Sequence, residues 1–253
     1  MEEIYVEYIS EPKLTDPILI EGLPGVGNVG KLAAEHLIDK LKAKKFANIY
    51  SRFFPPQVLV GKDGVVRLVS NELFFVKKNK NNQTDIIFLV GDYQGLTPEG
   101  QYEISMKILE IAEKFNIKKI FTLGGYGLGR MVEKARVLGA ATNPELVKEM
   151  KEHGVIFQEG EPGSGIVGAS GLLLGLGKIQ NIEGVCLMGE TSGYFADPKS
   201  AQAVLGILTK ILDVTIDYSE LESKATQIEK ITAHIQDLDT LPEKTQDDLR
   251  YIG

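Results

Sequence analysis

Short apolar segments alternate along this chain with longer segments of helical periodicity, and this alternation restricts the fold more than any other feature. Residues 85–90 contain the continuous apolar run Ile86–Val90, which is typical of a strand covered on both faces of a sheet, and residues 118–123 are predicted to form another buried strand. Between them, Thr97 stands at an N-cap position and Pro98 follows it, as at the start of a helix that runs to Phe115. Strand, helix and strand in this order predict βαβ crossovers and a mainly parallel sheet.

Other segments extend the same α/β pattern. Residues 58–60 and 65–69 flank the turn Gly61-Lys62-Asp63-Gly64 and predict a hairpin, and residues 71–76 continue this antiparallel part. We therefore expect a mixed sheet with an antiparallel end. Periodicity predicts further strands at 4–8, 17–21, 155–157 and 182–187, and further helices at 28–41, 144–152, 166–176 and 198–212.

The hydrophobic pattern of the sequence changes after Leu212. Apolar residues then recur at spacings of three and four, which predicts an amphipathic helix from about Ser219. Residues 239–248 are polar and contain Pro242, as in a flexible linker. We therefore divide the chain into an α/β domain (1–215), a C-terminal helix (216–238) and a linker with an apolar tip (239–253). The residues of the helical stripe are Leu221, Ala225, Ile228, Ile231, Ile235 and Leu238.

Composition excludes several classes of protein. The 253 residues carry a formal net charge of −7, which argues against binding to nucleic acids or anionic membranes. No apolar stretch approaches the ~18 residues of a membrane span, and the N-terminus shows no signal-peptide pattern. The one cysteine, Cys186, is expected to be a buried thiol in a reducing cytoplasm. Neither a metal-ligand cluster nor a G-x-S-x-G motif is present, and we predict no cofactor.

The first candidate site is the glycine loop Gly25-Val26-Gly27-Asn28-Val29-Gly30. It fits the G-x-G-x-x-G fingerprint of dinucleotide sites, between a predicted strand and a predicted helix. That fingerprint also needs an acidic residue about 20 positions later to bind the ribose. Residues 48–52 contain none, although Arg52 would suit a 2′-phosphate. The favoured alternative is a tight strand-to-helix turn that needs small residues.

The same loop nearly matches a phosphate-binding P-loop. Gly25, Gly30 and Lys31 fit the pattern, but Leu32 occupies the position of the hydroxyl residue that holds Mg²⁺. Asp92 follows an apolar strand, as a Walker B acid does. NTPase activity is therefore disfavoured. The loop amides at a helix N-terminus nevertheless remain a candidate anion site.

Two further loops follow predicted strands. The segment 124–130 ends in Arg130, which would pair with a carboxylate or a phosphate, and the segment 189–195 contains Glu190. Glu190 and Asp92 would together supply two carboxylates for acid–base chemistry in one cleft. The alternatives are a flexible connection and hydrogen bonds that close loops. The candidate ligand or anion cleft therefore comprises Gly25, Gly27, Asn28, Gly30, Asp92, Arg130 and Glu190.

Four motifs in this order resemble the archaeal members of the proteasome-assembly-chaperone family: residues 21–30 (EGLPGVGNVG), 91–94 (GDYQ), 124–126 (GGY) and 189–191 (GET). The resemblance covers roughly residues 1–215. It implies a three-layer α/β/α sandwich around a mixed, mainly parallel sheet, similar to purine nucleoside phosphorylases and related hydrolases. It also implies a homo-oligomer with no established catalytic activity.

The resemblance also indicates a partner, the α-ring of the 20S proteasome, which the eukaryotic relatives help to assemble. Some archaeal relatives resemble activators that dock a C-terminal tail, ending hydrophobic-Tyr-any residue, between α subunits. Here Tyr251 is third from the end, after Arg250 and before Ile252, which departs from that pattern by one position. The candidate docking residues are Leu249, Tyr251, Ile252 and Gly253.

Two functions are therefore expected. The first is a non-enzymatic oligomeric chaperone or regulator of the 20S proteasome. The alternative is an enzyme or sensor that binds a small anionic ligand of the nucleoside or nucleotide type in the cleft.

Overall fold

A computed structural model describes residues 3–79, 84–157 and 165–228. Its strands are β1 (Ile4–Tyr8), β2 (Ile18–Gly22), β3 (Lys44–Ser51), β4 (Val58–Val60), β5 (Val66–Leu68), β6 (Asn71–Val76), β7 (Ile86–Gly91), β8 (Lys119–Gly127), β9 (Val137–Ala141) and β10 (Glu183–Thr191). Its helices are α1 (Val29–Lys40), α2 (Pro98–Lys114), α3 (Pro144–Glu152), α4 (Ala169–Ile179), α5 (Pro198–Leu212) and α6 (219–228), with a 3₁₀ turn at Val26–Asn28.

Eight strands form the main sheet in the order β1-β3-β6-β7-β2-β8-β10-β9. Its centre is parallel, because β2 pairs in parallel with β7 and β8, and β8 pairs in parallel with β10. The flanking strands β1, β3, β6 and β9 join by antiparallel pairing. The mixed sheet with an antiparallel end is therefore confirmed. The predicted hairpin also forms, but β4 and β5 make a separate two-stranded ribbon outside the main sheet.

Helices cover both faces of the main sheet. Alternate side chains of the central strands point to opposite faces, and on both faces these side chains are apolar and buried. Ile20, Phe88 and Phe121 face one core, which is completed by α1, α3, α5 and α6. Leu19 and Ile87 face the other core, under α2 and α4. The fold is thus a three-layer α/β/α arrangement, and its likeness to purine nucleoside phosphorylases stays a prediction.

Side-chain caps set the starts of three helices. Thr97 Oγ1 accepts a hydrogen bond from the Gly100 N–H at 3.0 Å, so the predicted start of α2 is confirmed. Asn143 and Asp197 cap α3 and α5 in the same way, and each is followed by proline at the first helical position.

Two strands run further than the sequence pattern predicts. Residues 124–127 continue β8 and residues 189–191 continue β10, although both segments are expected to be loops. The two extensions pair with each other in unbroken parallel register, Gly125 opposite Gly189 and Tyr126 opposite Glu190. This ladder outweighs the weak strand propensity of glycine. Tertiary pairing of this kind is invisible to local pattern analysis.

Other element boundaries also differ. The helix expected from Ile166 begins at Ala169, where Gly168 adopts a φ of +88°. The strand expected at 155–157 is a single bridge between Ile156 and Leu138, and it lies beside β9, which local patterning misses.

The helix expected from Ser219 is present over 219–228, with Leu221 and Ala225 buried. The rest of the predicted helix, the linker and the tail residues Leu249, Tyr251, Ile252 and Gly253 lie outside the described residues, and the division into 1–215, 216–238 and 239–253 stays a prediction. Within the described part of the chain, no helix is both long and apolar enough to cross a membrane.

Candidate functional site

The predicted site residues lie at one edge of the sheet, where the parallel strands end. The glycine loop follows β2, Asp92 follows β7 and Arg130 follows β8. Glu190 is the penultimate residue of β10. Open α/β sheets bind ligands at this carboxyl edge. The topology thus brings the four segments to one side of the molecule.

The glycines of the loop are required mainly by close packing. A Cβ atom on Gly30 would lie 2.0 Å from the Leu123 carbonyl oxygen, so α1 approaches β8 closely only with glycine there. Gly27 has a φ of +61°, and its carbonyl accepts a hydrogen bond from the Asp197 N–H at 2.8 Å. A Cβ on Gly25, in contrast, would meet nothing closer than 4.0 Å. These contacts favour a tight strand-to-helix turn.

A buried carboxyl group, Glu21, anchors the loop from below. Its Oε1 accepts a hydrogen bond from the Leu23 N–H at 2.7 Å, and its Oε2 accepts one from the Ser170 hydroxyl at 2.8 Å. Burial raises the pKa of Glu21 to about 7, although both hydrogen bonds oppose this rise. Glu21 therefore ties the end of β2 to the first turn of α4.

Gln94 makes a second link between the same two elements. Its Nε2 donates to the Pro24 carbonyl at 2.7 Å, and its Oε1 accepts from the Ala169 N–H at 2.9 Å. Lys31, which fits the P-loop lysine position, donates to the Gly91 carbonyl at 2.8 Å. The loop is thus held on several sides by protein groups.

Asp92 forms a two-pronged ion pair with Arg67 of β5. The distances are 2.6 Å from Nη1 to Oδ2 and 2.9 Å from Nη2 to Oδ1, and the Ser70 N–H donates to Oδ2 at 3.0 Å. Burial raises the pKa of Asp92, but the hydrogen bonds from Arg67 and Ser70 outweigh it and hold this pKa below its ordinary value. Asp92 thus fastens the β4–β5 ribbon to the main sheet.

Glu190 is buried and paired with Arg136. Arg136 Nε donates to Oε1 at 2.8 Å, its Nη2 also contacts Oε1, and its backbone N–H donates to Oε2 at 3.1 Å. The hydrogen bond from Arg136, with a smaller contribution from the charge of Arg130, holds the pKa of Glu190 below its ordinary value. Arg130 itself is exposed.

The structure does not bring the two predicted carboxylates together. β2 and β8 lie between β7 and β10, so Asp92 and Glu190 are three strand spacings apart, roughly 14 Å. Each is ionised and has its own arginine, whereas acid–base catalysis by a pair needs both acids around one reacting group. Among the described residues, no group of three or more His, Cys, Asp or Glu side chains is arranged to hold a metal ion.

The residues that organise this edge differ in part from those expected. Glu21, Gln94 and Ser170 fix the loop, and Arg67 and Arg136 pair with the acids, but none of them was a candidate. Glu21 offers the clearest signal, because it is a charged residue within β2 that directly follows the apolar run Ile18–Ile20. The arginine partners lie 25 and 54 positions from their acids, and no local pattern connects them.

With this fold and this arrangement of loops, the chain belongs to the PAC2 family, whose model matches residues 19–236. A curated relative is an uncharacterized protein of Methanocaldococcus jannaschii. It is 40% identical over 247 residues, which cover 95% of this chain and 93% of the relative. The family resemblance seen in the loop motifs is therefore confirmed.

Two solved structures from Pyrococcus furiosus are similar over nearly the whole chain. PbaB, described as an archaeal proteasome activator, is 42% identical with a TM-score of 0.88, and the match covers 93% of this chain and 100% of PbaB. PbaA, described as an archaeal homolog of proteasome-assembly chaperone, is 30% identical with a TM-score of 0.75, and the match covers 92% of each chain.

Proposed function

We propose that this protein binds the α-ring of the 20S proteasome as a non-enzymatic assembly chaperone or activator. The observation that carries the proposal is the likeness to PbaB, which extends over all of that chain at 42% identity. The proposal places the protein in the cytoplasm, with its proteasome partner.

The carboxyl edge supports a binding role better than a catalytic one. Asp92 and Glu190 are each neutralised by an arginine, and Lys31 is engaged by a backbone carbonyl. Gly30 allows α1 to pack closely on β8, and Gly27 adopts a positive φ. The arrangement is that of a scaffold on which loops present a surface.

The described part of helix α6 runs towards this same edge. The hydroxyl of Tyr218, just before α6, lies 3.0 Å from the hydroxyl of Thr209, near the end of α5. Glu222 of α6 accepts a hydrogen bond of 3.1 Å from Gln202, near the start of α5. α6 therefore runs antiparallel to α5, whose first turn follows the carboxyl end of β10. At Ile228 the chain is beside Phe195, at the carboxyl edge.

We propose that the docking element is the tail formed by Leu249, Tyr251, Ile252 and Gly253, which would lie in pockets between α subunits. In a homo-oligomer, several tails bind one ring together, so a weak contact per tail gives a stable complex when the linkers reach the pockets.

The test is native mass spectrometry of archaeal 20S particles mixed with the full chain, a chain without residues 249–253, Tyr251→Ala and Arg250→Ala. We expect complexes with the full chain and with Arg250→Ala, and a large loss for the truncation and for Tyr251→Ala. Equal binding by the full and truncated chains would remove the tail from the mechanism. Binding by neither would refute the proposed function.

A further inference from the structure

The β4–β5 ribbon presents two different faces. Leu59 and Arg67 lie opposite each other in the register and point to the inner face. There Leu59 packs against the core under α2, and Arg67 pairs with Asp92. The ribbon is thus fastened to the main sheet from one side, by one apolar contact and one ion pair.

The outer face of the ribbon is entirely aliphatic and exposed to solvent. Val58 pairs with Leu68, and Val60 pairs with Val66, so the four side chains share one face. Their exposed fractions are 47, 53, 67 and 59%, respectively. An antiparallel ribbon with one solvated face normally places its polar residues there. Here the exposed face is the apolar one.

This aliphatic face continues into a groove of mixed character. Val58 and Leu68 line it with the apolar residues Tyr50, Phe54 and Pro55 and with Arg52, which pairs with Glu3. From the exposed fractions, the four aliphatic residues alone expose about 400 Å² of mostly apolar surface, which is the size of the largest apolar patch on a typical monomer, and such a patch is often functional. Within the described residues the ribbon pairs with no third strand, and an isolated two-stranded ribbon is only marginally stable.

We propose that this outer face is the contact surface with a second copy of the same chain, packed face to face around a two-fold axis. The inference rests on the homo-oligomer of the proposed function and names its interface. Each copy would contribute about 400 Å² from the ribbon face alone, which is about half of what one partner contributes to a standard interface.

The absence of charge makes this face suitable for contact with a second copy. The chain carries a net charge of −7, so two copies repel each other over most approaches. The outer face bears no charged side chain, because Arg67 lies on the inner face and is paired there. Two such faces therefore meet without bringing like charges together, as a self-complementary two-fold contact requires.

The first test is the native mass of Val60→Lys combined with Val66→Lys, measured by light scattering over a range of concentrations. Both side chains are exposed, so we expect a folded protein in which the native mass falls and association weakens at least tenfold. Ile179→Lys is the matched control, because Ile179 is 78% exposed and lies away from the ribbon, and we expect it to keep the wild-type mass. A wild-type protein with the mass of one chain, or a double variant with an unchanged mass, would overturn the proposal.

The second test is oxidation of Val60→Cys, with Ile179→Cys as the control. The native Cys186 does not interfere, because it is fully buried and burial raises its thiol pKa to about 12. We expect a disulfide-linked dimer for Val60→Cys only, and an equal amount of dimer in the control contradicts face-to-face packing. Neither test uses proteasomes, so a protein that assembles through this face but ignores 20S particles would refute the proposed function and leave the interface standing.

Discussion

Replacing Gly30 with alanine tests whether the glycine loop exists for close packing. The new Cβ would lie 2.0 Å from the Leu123 carbonyl oxygen, whereas ordinary contacts begin near 3.4 Å. Either α1 or β8 must then move by about 1.4 Å, the difference between these distances. The atoms nearest to the new Cβ are backbone atoms of Leu123 and Gly124, so no side-chain rotation relieves the clash.

The expected loss of stability follows from this displacement. Overpacking of a well-packed interior costs about 1–3 kcal/mol, and the better helix propensity of alanine offsets up to ~1 kcal/mol near the start of a helix. We expect a net loss of about 1–2 kcal/mol, which corresponds to a fall of about 2–8 °C in Tm for a chain of this length.

Two glycine variants are matched controls for this measurement. Gly25 lies in the same loop, and the nearest atom to a Cβ there would be 4.0 Å away. Gly175 lies inside α4, and a Cβ there would have no neighbour within 4 Å. Gly25→Ala should change stability by less than about 0.5 kcal/mol, and Gly175→Ala should stabilise by up to ~1 kcal/mol. Urea unfolding of all four proteins at one concentration gives the comparison. A Gly30→Ala protein as stable as Gly25→Ala would refute the packing account.

Two further predictions concern the acids at the carboxyl edge. Because burial raises the pKa of Glu21 from 4.5 to about 7, the folded protein holds a proton there that the unfolded chain releases between these values. The free energy of unfolding should therefore fall by ~3 kcal/mol more as the pH rises from 4.5 to 7 than it does in Glu21→Gln, in which this contribution is absent. Urea unfolding of both proteins at pH 5 and pH 8 measures the difference, and parallel pH dependences would contradict it. For Asp92 and Arg67, a double-mutant cycle to alanine should give a coupling of about 1 kcal/mol, because the pair is bidentate but the arginine is half exposed; a coupling near zero would mean that the ion pair does not fasten the ribbon.

The fold class was predictable because it depends on local signals. The apolar strand 86–90 and the N-cap at Thr97 can each be recognised from a few neighbouring residues. The ends of β8 and β10 were not predictable in this way. Their glycines favour a loop locally, and only the parallel ladder between the two strands makes them extended.

The candidate site was predictable in position but not in its contacts. Asp92, Arg130 and Glu190 do follow or end parallel strands, so topology alone places them at one edge. Strand order then separates Asp92 from Glu190, and sequence spacing carries no information about strand order. The arginine partners come from the β4–β5 ribbon and from a loop that is distant in the sequence. The sequence alone therefore suggests two catalytic acids, whereas the structure shows two ion pairs.

Sedimentation of a mixture measures directly whether this protein binds the 20S proteasome, as we propose. Archaeal 20S particles at a fixed concentration are titrated with the protein and followed by analytical ultracentrifugation. We expect a boundary that sediments faster than the 20S particle alone and grows to saturation, and that is lost when residues 249–253 are removed. Two independent boundaries at every ratio, with no faster species, would refute binding to the proteasome.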